Sequence, residues 1–156
     1  MKAKEGVVGY LNQVLRAELT AVHQYMLHAA LCKQWGYERL CEHFERLVHE
    51  EVKHSSGLLD HILYLEGTPE VGSVDAVASG RTVQELFVGD LDFEREDGEL
   101  LRKAIVHCAD VGDFTTRHKL EDMIVDTEEH IDWFETQLRA IGQIGLDRYL
   151  GEQIKR

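Results

Sequence analysis

Apolar residues recur every three or four positions along four long stretches of the chain, and this spacing predicts four amphipathic helices. The helices are expected from about Glu5 to Lys33, Tyr37 to Leu65, Thr82 to Gly112 and Asp113 to Ile141. The predicted core positions are Leu11, Val14, Leu15, Ala21, Val22 and Tyr25, then Leu40, Phe44, Leu47, Leu58 and Ile62, then Phe87, Leu91, Leu101, Ile105 and Cys108, and finally Leu120, Met123, Phe134 and Leu138.

The segments between these stretches predict how the helices connect. Residues 66–81 lack a helical period, and a linker of this length allows helices two and three to run parallel. Thr82 and Glu85 have the spacing of a helix N-terminal capping box. Gly142 and Gly145 separate a short fifth helix, about 146–154, from a bundle spanning about 5–141. The predicted fold is all-α: one domain, 1–156, containing a four-helix bundle with a long crossover and a short C-terminal helix.

Length and composition are those of one globular domain, with 156 residues, 44% hydrophobic and 29% charged. The net charge of −12 disfavours nucleic acid or an anionic membrane as partner and suits attraction of metal cations. Three cysteines without a paired metal motif indicate a reducing compartment. No signal peptide and no run of eighteen apolar residues is visible, so a cytoplasmic protein is expected.

A constellation of polar residues interrupts these apolar stripes twice, at a constant offset. Glu18, Glu51 and His54 of the first half are matched by residues 94, 127 and 130, each 76 positions later. The second half contains Glu94 and His130, but Thr127 stands where the repeat calls for a carboxylate. The chain therefore reads as two similar helical hairpins that bring carboxylates and imidazoles to one centre.

Carboxylates on an inward helix face need compensation, because an unpaired buried charge costs several kcal/mol. Divalent metal ions supply it, and oxygen and imidazole ligands suit iron, manganese or zinc. A Glu-x-x-His spacing places both side chains on one face of a helix, where they can share a metal ion. The sequence thus predicts a dinuclear metal centre. Tyr25 would point at the same centre, either as a hydrogen-bonding or redox neighbour or as ordinary core packing.

The sequence resembles the bacterioferritin family along essentially its whole length. The similar segments are Val8-Gly-Tyr-Leu-Asn12, Ala17-Glu-Leu19 through Gln24-Tyr25, Gln34-Trp-Gly36, Glu51-Val-Lys-His54, Leu63-Tyr-Leu-Glu-Gly67, Asp90-Leu-Asp-Phe-Glu94, His130-Ile-Asp-Trp133 and Gly145-Leu-Asp-Arg-Tyr-Leu150. The resemblance implies a ferritin-like bundle that assembles into a shell of twenty-four subunits. It also implies oxidation of Fe(II) by O2 or peroxide at a di-iron centre, and storage of ferric mineral inside the shell.

Carried over by this resemblance, Glu18 and His54 hold one iron and Glu94 and His130 the other. Glu51 bridges the two, and Thr127 occupies the position of the family's second bridging Glu. Three carboxylates leave two Fe(II) ions with a net charge of +1, so an asymmetric or impaired ferroxidase centre is expected.

Two acidic residues flank the gap at Thr127, each about 100° around the helix from it. Asp126 lies one turn from His130 and becomes a metal ligand only if the helix is distorted. Glu128 lies on the wrong side of His130 and is not expected to contribute.

A second departure concerns haem, which the family binds between two subunits through a Met from each. Val52 holds that position and has no ligand atom, so haem is not expected. His23, Glu45 and His49 share the same stripe. Either the two histidines bind a metal or an alternative haem at the two-fold axis or, by preference, these are polar residues of a haem-free interface.

A third departure concerns the openings of the shell. Arg148 would face the four-fold axis, where a ring of four arginines repels Fe(II). Glu66 and Asp132 match acidic family positions that line pores between subunits and are candidate residues for iron entry, although exposed acidic residues usually only increase solubility.

The preferred interpretation is a cytoplasmic iron-storage subunit that oxidises Fe(II) at a modified centre, in a homo-oligomer or a mixed shell with a haem-bearing subunit. The alternative is a non-catalytic structural subunit of a mixed shell whose partner chain supplies the ferroxidase and haem sites. A small-molecule di-iron oxidase or reductase is disfavoured, because no rubredoxin-like cysteine pairs are visible.

Overall fold

The computed structural model describes residues 1–155, and within that range the chain forms five α-helices and no β-strand. The helices are α1 (Val7–Gln34), α2 (Glu38–Tyr64), α3 (Val83–Asp110), α4 (Phe114–Ile144) and α5 (Leu146–Gly151). Helix α1 packs on α2, α3 packs on α4, and α1 also contacts α3, so two hairpins form a four-helix bundle. The predicted fold class is confirmed.

The end of the bundle differs from the sequence prediction. Helix α4 continues to Ile144, about one turn beyond the predicted end at Ile141, because Gly142 is accommodated as a helical residue. Gly145 then ends the helix with a φ of +87°, a conformation that favours glycine. Helix α5 ends at Gly151 rather than near residue 154, and the amides of Glu152 and Gln153 bond back into its last turn.

Helix α3 begins with the predicted cap at Thr82, but the Glu85 carboxylate bonds a different backbone amide from the one expected in a capping box. The Glu85 amide donates to Thr82 Oγ1 at 3.2 Å, which satisfies one of the free amides of the first turn. The Glu85 carboxylate accepts at 2.6 Å from the amide of Arg81, one residue before the cap. The cap therefore also fixes the last residue of the crossover.

Two apolar clusters fill the bundle on either side of a polar layer. One is centred on Tyr25, Phe44, Phe87 and Phe134, and the other contains residues of the opposite half of each helix, such as Leu15. The predicted core positions except Val22 belong to these clusters, and three positions are only partly buried: Val22, Ile105 and Leu138. The layer between the clusters holds the polar residues that interrupt each stripe.

The crossover lies along α1, held by a row of buried polar side chains that we call the α1 ladder: Asn12, Thr20, Gln24 and His28. Asn12 bonds the carbonyl of residue 68 and the amide of residue 70, at 3.0 and 2.9 Å. Thr20 accepts from the amide of residue 75 at 2.9 Å, and Gln24 from that of residue 78 at 3.1 Å. His28 contacts the carbonyl of residue 78 at 2.8 Å. The linker therefore runs parallel to α1 and returns the chain to the end where α3 begins.

No helix in residues 1–155 has both the length and the apolar character needed to cross a membrane.

Candidate metal centre

All four long helices contribute to a buried acidic site between the two apolar clusters. Glu18 comes from α1, Glu51 and His54 from α2, Glu94 from α3 and His130 from α4. Their ligand atoms form two groups, Glu18–Glu51–His54 and Glu51–Glu94–His130, with all atoms of a group within 4.8 Å of one another. Each group can hold a metal ion, and Glu51 is common to both.

The two imidazoles present the same nitrogen to the interior. His54 Nδ1 lies 3.3 Å from Glu18 Oε2, and His130 Nδ1 lies 3.3 Å from Glu94 Oε1. Glu51 Oε1 is 3.8 Å from each of these two nitrogens. The site therefore has two-fold pseudosymmetry, with Glu51 at its middle, in agreement with the repeat in the sequence.

The outer nitrogen of each imidazole contacts a further carboxylate. His54 Nε2 lies 2.8 Å from Asp126 Oδ2, and His130 Nε2 lies 2.6 Å from Glu50 Oε2. A carboxylate at Nε2 favours the tautomer that donates there, which leaves Nδ1 free to bind a metal ion. Asp126, considered from the sequence only as a substitute ligand, thus lies where it orients an imidazole. Glu50 was missed, although it precedes Asp126 by the same 76 positions.

This outer contact gives a testable expectation. Replacing Glu50 or Asp126 by alanine should weaken Co(II) binding at the matching group by about 10–100-fold, the usual cost of losing such a partner. Titration of metal-free protein, followed by Co(II) absorbance, measures the effect. Glu129→Ala, an exposed change on α4, is the control. Unaltered affinity in both variants would contradict an orienting role.

Thr127, the position that breaks the repeat, faces a carboxylate on the neighbouring helix. Its hydroxyl donates to Asp97 Oδ2 at 3.3 Å, and both residues are buried, with 4% and 5% of their surface exposed. Asp97 was missed in the sequence. The only signal is its spacing of three residues from Glu94, in a run of charged residues typical of a solvated surface. We call the six ionisable residues at this place the acidic centre: Glu18, Glu51, His54, Glu94, Asp97 and His130.

Tyr25 lies beside the acidic centre and is fully buried. Its hydroxyl donates a hydrogen bond to Glu94 Oε1, and its ring stacks against Phe44 and Phe134. Burial and the nearby Glu94 charge raise the pKa of Tyr25, so the group remains a phenol that can donate. Packing against the rings fixes the hydroxyl, and the hydroxyl in turn orients Glu94.

Crowding of carboxylates changes their proton affinity. Burial, followed by the charges of Glu51 and Asp97, raises the pKa of Glu18. Burial raises the pKa of Glu94 and, together with Glu94 and Glu51, raises the pKa of Asp97 to about 7. Burial acts the same way on Glu51, but its hydrogen bonds with Glu18 and His54, together with the charges of the two imidazoles, outweigh burial and lower its pKa. Without a metal, protons hold these carboxylates together, and a divalent cation would replace them.

The imidazoles respond in the opposite sense. Burial alone would lower the pKa of His130, but its contacts with Glu94, Glu51 and Glu50 raise it to about 10. Burial alone would also lower the pKa of His54, but its contacts with Glu51 and Asp126 outweigh burial and raise the pKa. Both rings therefore act as counter-charges in the metal-free protein.

The remaining predicted residues lie on the surface of the chain and are not part of the acidic centre. Val52 is 49% exposed. The other exposed positions are His23, Glu45, His49, Glu66, Asp132 and Arg148. The predicted roles of these residues involve a second subunit or a symmetry axis.

A bundle that gathers carboxylates and imidazoles from all four helices is characteristic of ferritin-like proteins, and the family described as "Ferritin-like domain" matches residues 8–144. Similar proteins cover the whole chain. A bacterial ferritin of Pseudomonas aeruginosa is 39% identical over 155 residues, which is 99% of this chain and 100% of that protein. A bacterial ferritin of Synechocystis sp. is 38% identical, covering 99% of both chains. A bacterioferritin of Mycobacterium leprae is 35% identical over 156 residues, 100% of this chain and 98% of the other. The chain belongs to the bacterioferritin family of the ferritin-like superfamily.

Proposed function

We propose that this protein is an iron-storage subunit that oxidises Fe(II) at the acidic centre. The observation that carries the proposal is the pair of overlapping ligand groups, which share Glu51 and place one Oε1 atom 3.8 Å from both inward imidazole nitrogens. Two cations bound there would be close neighbours joined by one carboxylate. Such a pair suits a reaction in which two Fe(II) substrates each give one electron to the same oxidant, O2 or peroxide.

The residues have separate roles in this proposal. Glu18 and His54 hold one Fe(II), Glu94 and His130 hold the other, and Glu51 bridges them. Bound iron displaces the protons that the carboxylates share, and the anionic oxygens stabilise the higher charge of Fe(III). Tyr25 keeps Glu94 in position. The ferric product would pass into a cytoplasmic shell of twenty-four subunits and be stored there as mineral.

A second candidate is a non-catalytic subunit of a mixed shell whose partner chain supplies the ferroxidase and haem sites. Thr127 favours this candidate, because it removes a carboxylate from the repeat. Val52 is consistent with a subunit that binds no haem, because valine offers no ligand atom. In either case, His23 and His49 are proposed as polar residues of the subunit interface.

Rapid mixing separates the two candidates. Metal-free protein is mixed with two Fe(II) per subunit in aerated buffer, and ferric absorbance is followed. A fast phase that saturates at two Fe(II) per subunit is expected for a ferroxidase. Oxidation no faster than in protein-free solution would mean that the chain is a storage or shell component that needs a catalytic partner.

A further inference from the structure

The acidic centre contains one carboxylate that the repeat does not supply. Glu18, Glu51 and Glu94 follow from the 76-residue offset, whereas the position 76 residues before Asp97 is Ala21. Asp97 lies one turn after Glu94 on α3, and therefore on the same helix face. Its contact with Thr127 places it against the one position where the repeat has lost a carboxylate.

The surroundings of Asp97 are not those of a structural acid. It is 95% buried, yet within residues 1–155 its Oδ1 atom has no hydrogen-bond partner. Its Oδ2 atom has one bond, from Thr127. A buried carboxylate that serves only the fold normally has both oxygens satisfied, because an unpaired buried acceptor costs about 1–3 kcal/mol.

The charges that act on Asp97 belong to the same centre. After burial, the charges of Glu94 and Glu51 contribute most to raising its pKa. Three carboxylates would leave two divalent cations with a net charge of +1, whereas four make the centre neutral. Asp97 restores that number from a different helix.

We infer that Asp97 is the fourth carboxylate ligand of the dinuclear centre, supplied by α3 in place of the carboxylate that Thr127 lacks on α4. The inference rests on the proposed function, because it assigns Asp97 to the same pair of metal ions. Asp97 lies outside the two groups whose ligand atoms are within 4.8 Å of one another, so its side chain would have to move to reach a metal ion bound there. The Thr127 hydroxyl holds the carboxylate next to the centre until then.

The test is a titration of metal-free protein with Co(II) under anaerobic conditions, followed by absorbance and calorimetry. Wild-type protein is expected to bind two Co(II) per subunit. Asp97→Asn should weaken the second ion by at least about tenfold, the lower end of what losing an outer partner costs at metal sites. Glu96→Gln removes an adjacent but exposed charge and should bind like wild type. Adding Thr127→Glu to Asp97→Asn should restore tight binding of the second ion, because it returns the carboxylate to α4.

The outcomes distinguish this inference from the proposed function. Two Co(II) bound with wild-type affinity by Asp97→Asn would overturn the role of Asp97. If Glu51→Gln loses binding in the same series, the proposed centre stands without Asp97. If Glu51→Gln also binds two Co(II) as tightly as wild type, both the centre and the role of Asp97 fail. Asparagine has nearly the shape of aspartate, and elution of each variant at the wild-type size shows that assembly is intact.

Discussion

Replacing Glu51 by alanine is expected to abolish the fast phase of Fe(II) oxidation, with a rate loss of at least about 100-fold, the upper end of the effect of losing an outer partner at a metal site. Glu51 is the one residue shared by both ligand groups, so its loss weakens both iron positions and removes their bridge. The remaining pairs, Glu18 with His54 and Glu94 with His130, offer only one carboxylate and one imidazole each.

Rapid mixing with two Fe(II) per subunit measures this loss, and Asp60→Ala provides the control, because it removes an exposed carboxylate from the same helix. The metal-free Glu51→Ala protein loses the hydrogen bonds of Glu51 with Glu18 and His54, so its thermal unfolding is recorded as well, to show that the variant is folded at the temperature of the assay. A variant that keeps the fast phase would show that Glu51 does not bridge the iron ions.

The second large effect concerns the metal-free protein, whose stability should fall as pH rises from about 4 to 7. The folded-state pKa of Asp97 is about 7, whereas its ordinary value is 3.8. Between these values the folded state keeps a proton that the unfolded state has released, so each rise in pH favours unfolding. One pKa unit corresponds to about 1.4 kcal/mol, so the total change is on the order of a few kcal/mol.

His130 extends the same trend at higher pH. Its folded-state pKa of about 10 exceeds the ordinary 6.5, so the stability from its positive charge is present below about pH 6.5 and lost between about 6.5 and 10. Thermal unfolding in the presence of a chelator, recorded across this pH range, measures both effects.

Two changes to the sample test the assignment of this pH dependence. Asp97→Asn should make the fall between about pH 4 and 7 shallower but not abolish it, because the pKa values of Glu18 and Glu94 are also raised, and the fall that His130 causes remains. Saturating Co(II) should remove most of the pH dependence, because metal binding expels the protons from the folded state. A wild-type stability that stays constant, or rises toward pH 8, would contradict the expected direction of the change.

The bundle was predicted well from the sequence because apolar residues at helical spacing mark the face of each helix that is buried. Each apolar position three or four residues from the next must face the core, so the helix bounds and most core residues followed. The end of α4 was wrong by one turn, since Gly142 lies inside the helix. Whether a glycine ends a helix depends on its φ, which composition does not reveal.

The acidic centre was only partly predictable. The constant offset brought Glu18, Glu51, His54, Glu94 and His130 to one place, because two similar hairpins pack in similar ways. Asp97 has no counterpart in the first half, and burial of a charged residue depends on the approach of a neighbouring helix. Periodicity describes one helix at a time, so it gives no distance between Asp97 and Thr127.

The hydrogen bonds of the α1 ladder set the position of the crossover along α1. Its rungs fix the register between the linker and α1, and the linker in turn sets the height at which α3 begins. A slip by one rung of four residues would shift α3 by about 6 Å along the bundle axis. Glu94 would then be carried a full turn away from Glu51. Alignment of the two halves of the acidic centre thus depends on hydrogen bonds made in a loop that contains none of its ligands.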